Sequence, residues 1–294
     1  MSTAPSIVAA VEPTVRDRVG LLELAREHPR VTAAASLVAL LFLVALLAPL
    51  ISPHDPITTE PDNAYLRPLS SGHLLGTDEL GRDLLSRALW GARISLPVAF
   101  VAVAVGLIVG GLIGLLSGYR GGLTDLLLMR LIDALLAFPA LILAIAIVAA
   151  LGANLTNAMI AIGVVAVPVY ARLVRGQVLQ LREMEFMTAT RSLGAKPLRL
   201  VFRHLVPNLL NPVIVQVSLS AGFAILAEAT LSFLGLGAQV PTPDWGQMIN
   251  SGARFLNNDP WLAIVPGVAI SLTVYSFNFL GDSLRDALDP RLRS

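Results

Sequence analysis

The chain has 294 residues, 55% of them hydrophobic and only 14% charged, with a mean hydropathy of +0.73. A soluble domain carries roughly 25% charged residues, so this composition excludes one, and repeated apolar runs of about 20 residues require a bilayer. The formal charge of +1 argues against nucleic acid as a partner, and the lack of cysteine excludes disulfides, thiolate metal sites and redox pairs.

Residues 1–30 form a leader, in which TVRDRVGLLELAREHPR (14–30) is read either as a short interfacial helix or as a solvated basic stretch. The first apolar run, 31–51, is too long for the core of a cleaved signal and long enough to span, so it is read as a retained anchor. A polar loop at 52–93 carries turn signals at Ser52-Pro53, Asp55-Pro56 and Ser71-Gly72 and becomes helical in its second half. The core of the chain, 94–285, then holds the remaining spans. Span 2 covers about 94–119. Its Gly106, Gly110, Gly114 and Gly118 recur every fourth residue, a strip without side chains that marks a helix–helix contact in lipid.

After the turn Arg120-Gly121-Gly122, span 3 is predicted over about 124–150, with Asp125, Arg130 and Asp133 in its first part and a local Arg130–Asp133 pair available. Gly152-Ala153-Asn154 separates it from span 4, about 157–173. Pro139 and Pro168 interrupt these two helices. A polar stretch at 174–208 precedes span 5 (209–234), whose one carboxylate is Glu228. A second large loop follows at 235–260, then span 6 (261–280) and a charged tail that includes 286–294. The leader, 119–133, 172–208 and the tail hold 4, 2, 7 and 3 of the 21 Lys and Arg. The positive-inside rule therefore places these segments, and both termini, in the cytoplasm.

A search for chemistry returns little. The only lysine, Lys196, is not in a phosphate-binding loop, and no zinc-hydrolase, serine-hydrolase or cysteine-nucleophile pattern is present. His28, His54, His73 and His204 are widely spaced, which argues against a His-rich metal site. Asp78, Glu79 and Asp83 lack the alternation of a calcium loop and are read as solvated helix-capping residues. Glu228, a lone carboxylate in a span, is a candidate pathway or gate residue, with a structural role as the alternative, either a paired interface residue or a carboxylate wetted near the headgroups.

The 174–208 stretch is more informative. Apolar residues interleave with polar ones up to Leu193, Gly194 supplies a stop, and Pro197 suits the first turn of a new helix. Pro207 is expected to end that helix before span 5. The result is a two-helix knob suited to a groove on a partner, or an interfacial helix lying on lipid.

Residues 188–207 resemble the signature loop of permease subunits of binding-protein-dependent ABC importers: Ala189 falls on its first alanine, Gly194 on its glycine and Pro207 on its proline. Thr188 replaces the usual glutamate, and Thr190 the second alanine. Thr190-Arg191-Ser192-Leu193-Gly194-Ala195 and the His204–Asn208 ending are similar to the peptide branch of that family. Residues 75–96 and 227–248 are similar to segments of the second permease of dipeptide, oligopeptide and nickel importers. The resemblance implies an all-α integral membrane protein with six transmembrane helices, a type I ABC importer permease fold and a cytoplasmic coupling hairpin. It implies residence in a bacterial inner membrane and half of a translocation path for short peptides, nickel or another small solute. The implied partners are a homologous second permease, two cytoplasmic ATPase subunits that bind ATP and magnesium, and an external binding protein. This chain itself would carry no cofactor and no catalytic residue. Glu185, Thr188, Ala189, Arg191, Gly194, Ala195 and Pro207 would form the ATPase-docking loop. A stand-alone secondary transporter would instead show inverted repeats or mid-membrane ionisable residues.

Overall fold

The computed structural model describes residues 28–70 and 72–288; the leader up to residue 27 and the tail from 289 lie outside the described residues. Helix α1 (Pro29–Ile51) is followed by a loop with a single 3-10 turn at Pro61–Asn63. Then come α2 (Leu84–Arg120), α3 (Gly122–Leu136), α4 (Ala140–Leu151) and α5 (Leu155–Arg182). The polar stretch holds α6 (Glu185–Ser192) and α7 (Pro197–Leu200), which continues through a π-helical turn (Val201–Leu205) into α8 (Val206–Phe233). Helices α9 (Trp245–Ala253) and α10 (Trp261–Leu288) are the last among the described residues. Among the described residues, five helices are long and apolar enough to cross a bilayer, or six if α3 and α4 form one broken span.

The α3–α4 break lies at Pro139, the proline expected to interrupt the span over 124–150. The two helices meet at 89°. Pro139 has no N–H to offer, so the helical ladder stops where Ala137 N donates to Asp133 O (3.0 Å). Pro168, by contrast, is absorbed inside a continuous α5. Pro207 corrects an expectation: it does not end a helix. The wider π turn just before it lets the chain pass the missing donor, and Asn208 Nδ2 donates to His204 O (2.6 Å) in the same turn.

The interior is built from small residues. Gly106, Gly110, Gly114 and Gly118 are all buried and all face α5. A Cβ on Gly106 would lie 2.7 Å from Ala166 Cβ, one on Gly118 would lie 2.9 Å from Val178 Cβ, and those on Gly110 and Gly114 would overlap the Val167 and Ala171 carbonyl oxygens. The α2–α5 pair thus packs backbone against backbone. Helix α8 approaches α10 through Gly222 and Gly281. Val31 at the start of α1 packs on Ala287 near the end of α10, so both described ends lie on one side of the bundle. Leu40, Leu43, Leu46 and Leu50 of α1 are exposed, as a lipid-facing helix surface requires.

Candidate functional site: the hairpin and the charged contacts behind it

The hairpin between α5 and α8 is a compact corner. Met184 ends the α5 helix path in an extended conformation and α6 begins at Glu185. At its far end Gly194 sits at φ +78°, Gly194 N donates to Arg191 O (2.9 Å) and Ala195 N donates to Thr190 O (3.3 Å). These two bonds make a Schellman motif, which closes a helix through a left-handed residue and so favours glycine. Pro197 then occupies the first turn of α7.

The corner is anchored at one point and open elsewhere. Met187 is fully buried against Val174, Val178, Leu181, Leu200, Leu205 and Leu209. Glu185, Thr188, Ala189, Arg191, Gly194 and Pro207 are exposed, and Ala195 is half-buried. Leu193 and Leu198 are 88% and 72% exposed, and Phe186 and Phe202 are exposed too. Exposed Arg191, Lys196, Arg199 and Arg203 surround them. An apolar tip with a basic rim on a buried anchor leaves apolar surface uncovered within this chain.

Behind the corner, ion pairs join the helices. Arg182 Nη1 donates to Gly118 O (2.7 Å) and Tyr119 O (3.0 Å), closing the C-terminus of α2 with a basic side chain. Arg175 Nε and Nη2 each donate to a different oxygen of Asp125 at 2.6 Å, and Ser117 Oγ also donates to that carboxylate. Arg172 Nη2 donates to Asp133 Oδ1 (2.7 Å). The local Arg130–Asp133 pair is therefore corrected: Asp133 is held by a helix 39 residues away in sequence, because α3 lies against α5 through Ile132, Val167 and Ala171.

Glu228 is at the other end of the bundle. Its side chain is fully buried within this chain. Ser95 Oγ of α2 donates to Oε2 (3.0 Å) and Ser232 Oγ donates to Oε1 (2.9 Å), so the carboxylate ties α8 to α2. The Asp244 carboxyl faces it from the start of α9, where Asp244 Oδ1 also accepts from Gln247 N (3.0 Å). Trp245 Nε1 donates to Ala88 O (2.9 Å) and seats α9 on α2.

The loop before α2 is stiffened by charge. Asp78 accepts from Arg82 Nε (2.6 Å), and Arg87 Nη1 donates to Pro56 O (2.9 Å). Asp78 and Asp83 are buried, which corrects their reading as solvated groups, although Asp83 does cap α2 by accepting from Ser86 N (2.7 Å). The wide spacing of the histidines is also misleading: His54 and His73 stack at 4.4 Å beside Asp83. Reading one sequence could not find Ser95, Asp244, Arg172 or Arg175 as partners, because each contact joins separate helices, whereas Ser232 lies one turn from Glu228 on α8 and was within reach of the i, i+4 spacing.

Comparison with known proteins now adds the family. Residues 110–294 match the family model of the binding-protein-dependent transport system inner membrane component, and residues 25–68 match the N-terminal TM domain of oligopeptide transport permease C. The chain belongs to the permeases of binding-protein-dependent ABC importers, of the oligopeptide permease C type. It is 49% identical to the dipeptide transport system permease protein DppC of Alkalihalophilus pseudofirmus, covering 86% of this chain and 83% of that protein. It is 44% identical to the glutathione transport system permease protein GsiD of Pectobacterium atrosepticum, covering 92% and 89%. It is 46% identical to the di/tripeptide transport system permease protein DppC of Pseudomonas aeruginosa, covering 87% and 86%. The fold is similar to a chain of the inward-facing MetNI methionine ABC transporter, with a TM-score of 0.58 at 19% identity over 70% of this chain and 98% of that one.

This permease is a multi-pass inner-membrane protein and a transport subunit, not an enzyme; its family calls for no cofactor in the permease itself. A component of such a system works with an ATPase and a substrate-binding protein.

Proposed function

We propose that this permease forms half of the translocation path of an ATP-driven importer of short peptides, and that its hairpin couples the path to ATP hydrolysis. The observation that carries the coupling is the exposed apolar tip of Leu193, Leu198 and Phe186 on the rigid corner closed by Gly194. In this reading Glu185, Thr188, Ala189, Arg191, Gly194, Ala195 and Pro207 meet a groove on one of two ATPase subunits. Closure of the ATPases pulls the hairpin. Arg182 and the Asp125–Arg175 pair pass that movement to α2 and α3.

The hairpin and both termini lie in the cytoplasm, supported by the excess of Lys and Arg on those segments and by the packing of Val31 on Ala287. The loops at 52–83 and 234–260 face outward and receive a binding protein, and a homologous permease completes the path. The peptide substrate is supported by the names of the relatives above, all of which carry dipeptides, di/tripeptides or glutathione.

The test is ATP-driven uptake of a labelled dipeptide by the complete importer in proteoliposomes. Wild type is expected to accumulate it. Ala189→Asp and Gly194→Trp should abolish uptake while the variants still insert into membrane. Undiminished uptake by Ala189→Asp would refute docking at this corner. Failure of the wild-type importer to take up any short peptide would refute the substrate class.

A further inference from the structure

We propose that His54, His73 and Asp83 form a binding site for one divalent transition-metal ion of the zinc class, on the side of the bundle opposite the hairpin. The ligand atoms of these three residues all lie within 4.8 Å of one another. His73 Nδ1 is 2.8 Å from Asp83 Oδ1, and His54 Nδ1 is 3.7 Å from the same oxygen. The two imidazoles lie one over the other, with ring centroids 4.4 Å apart and planes 26° from parallel.

The site is held from behind. Asp83 Oδ2 accepts from Ser86 N (2.7 Å), which fixes the carboxylate and leaves Oδ1 aimed at the histidines. Ser86 Oγ in turn accepts from His54 N (3.1 Å), so one serine orients two of the three ligands. Such outer contacts are what keep metal ligands in place. The side chains of Asp83 and His73 are 0% and 5% exposed, while that of His54 is 39% exposed, so solvent reaches one side. An ion would therefore bind three protein ligands and keep an open position for water.

The donor set decides the class of ion. Two imidazole nitrogens and one carboxylate oxygen suit zinc, nickel or copper, whereas calcium and magnesium take six or more oxygens. Zinc bonds of about 2.0–2.2 Å require the exposed His54 ring to turn out of its stack on His73 so that both Nδ1 lone pairs converge on the ion. His73 Nδ1 faces Asp83 Oδ1 in a hydrogen bond, so for the ion to enter the imidazole must take the tautomer with its hydrogen on Nε2, which frees Nδ1 as a ligand. His54 follows directly after α1, and Asp83 caps α2. The ion would staple the end of the first span to the start of the second, and its removal would loosen this loop.

The experiment compares the complete importer of wild type with one carrying His54→Ala. Both are stripped with a chelator and titrated with zinc against a chromophoric competitor, and both are melted with and without zinc. His54 is half-exposed and its backbone N–H bond survives the change, so the variant is expected to fold. Wild type should bind one more ion per permease chain than the variant, or bind it at least tenfold more tightly, and only wild type should melt higher with zinc. Cobalt substitution should add a visible band in wild type that the variant lacks. His54→Cys, which restores a zinc ligand, should recover binding. Equal ion count and affinity in wild type and His54→Ala would overturn the proposal. So would a site that takes calcium in preference to zinc.

Discussion

Replacing Gly106 with alanine tests whether α2 and α5 depend on contact without side chains. The added Cβ would lie 2.7 Å from Ala166 Cβ, 3.3 Å from Ala166 C and 3.3 Å from Tyr170 Cδ2. Methyl groups prefer about 3.5–4.0 Å, so the two helices must part by roughly 1 Å, because an alanine Cβ has no flexible end to swing away. A gap of that size forfeits a quarter to a half of each dispersion contact along the seam. Overpacking of this kind costs about 1–3 kcal/mol, offset by up to about 1 kcal/mol of helix propensity gained on leaving glycine. The net expectation is a loss of about 1–2 kcal/mol. Gly111→Ala provides the control on the same helix. Its nearest atom is Leu107 Cδ1 at 3.9 Å, so it gains propensity without a clash. Gly110→Ala combined with Gly106→Ala should cost less than the sum of the two, since one separation of the helices relieves both sites. The assay is thermal unfolding of the purified importer in detergent or nanodiscs. Gly106→Ala should melt a few degrees below wild type and Gly111→Ala at or above it. Equal midpoints for Gly106→Ala and Gly111→Ala would refute the packing argument.

Glu228→Gln should leave stability within about 0.5 kcal/mol, because an amide retains an acceptor for one serine and offers an N–H to Asp244 Oδ2, which is buried without a hydrogen-bond partner. Glu228→Leu should cost about 1–3 kcal/mol by leaving the Ser95 and Ser232 hydroxyls unpaired, read as a lower yield of monodisperse complex; loss of transport in both variants with assembly intact would place Glu228 in the pathway. The Asp125–Arg175 pair should show a coupling of about 1 kcal/mol in a double-mutant cycle on unfolding, modest because both side chains are partly exposed. Additive single effects there would mean that the contact carries no stability.

Much of this permease was legible from local pattern. The apolar runs, the glycine strip, the Gly194 corner and the Pro197 helix start each rest on chemistry within a few residues, which a linear chain displays directly. The sequence motifs at 75–96, 188–207 and 227–248 were likewise enough to mark the family. Prolines were harder, because their effect depends on what surrounds them: Pro139 breaks a helix at 89°, Pro168 is buried in an unbroken one, and Pro207 is passed by a π turn.

Tertiary structure alone decided the partnerships. Asp133 had an arginine three residues away in its own helix, yet the packing of α3 on α5 gave it Arg172 instead. Glu228 gained a partner in Ser95, 133 residues away on another helix. His54 and His73 looked scattered until the loop before α2 stacked them beside Asp83. Side-chain pairing in a membrane bundle depends on which helix faces meet. That is settled by close packing between distant segments, and no local pattern encodes it.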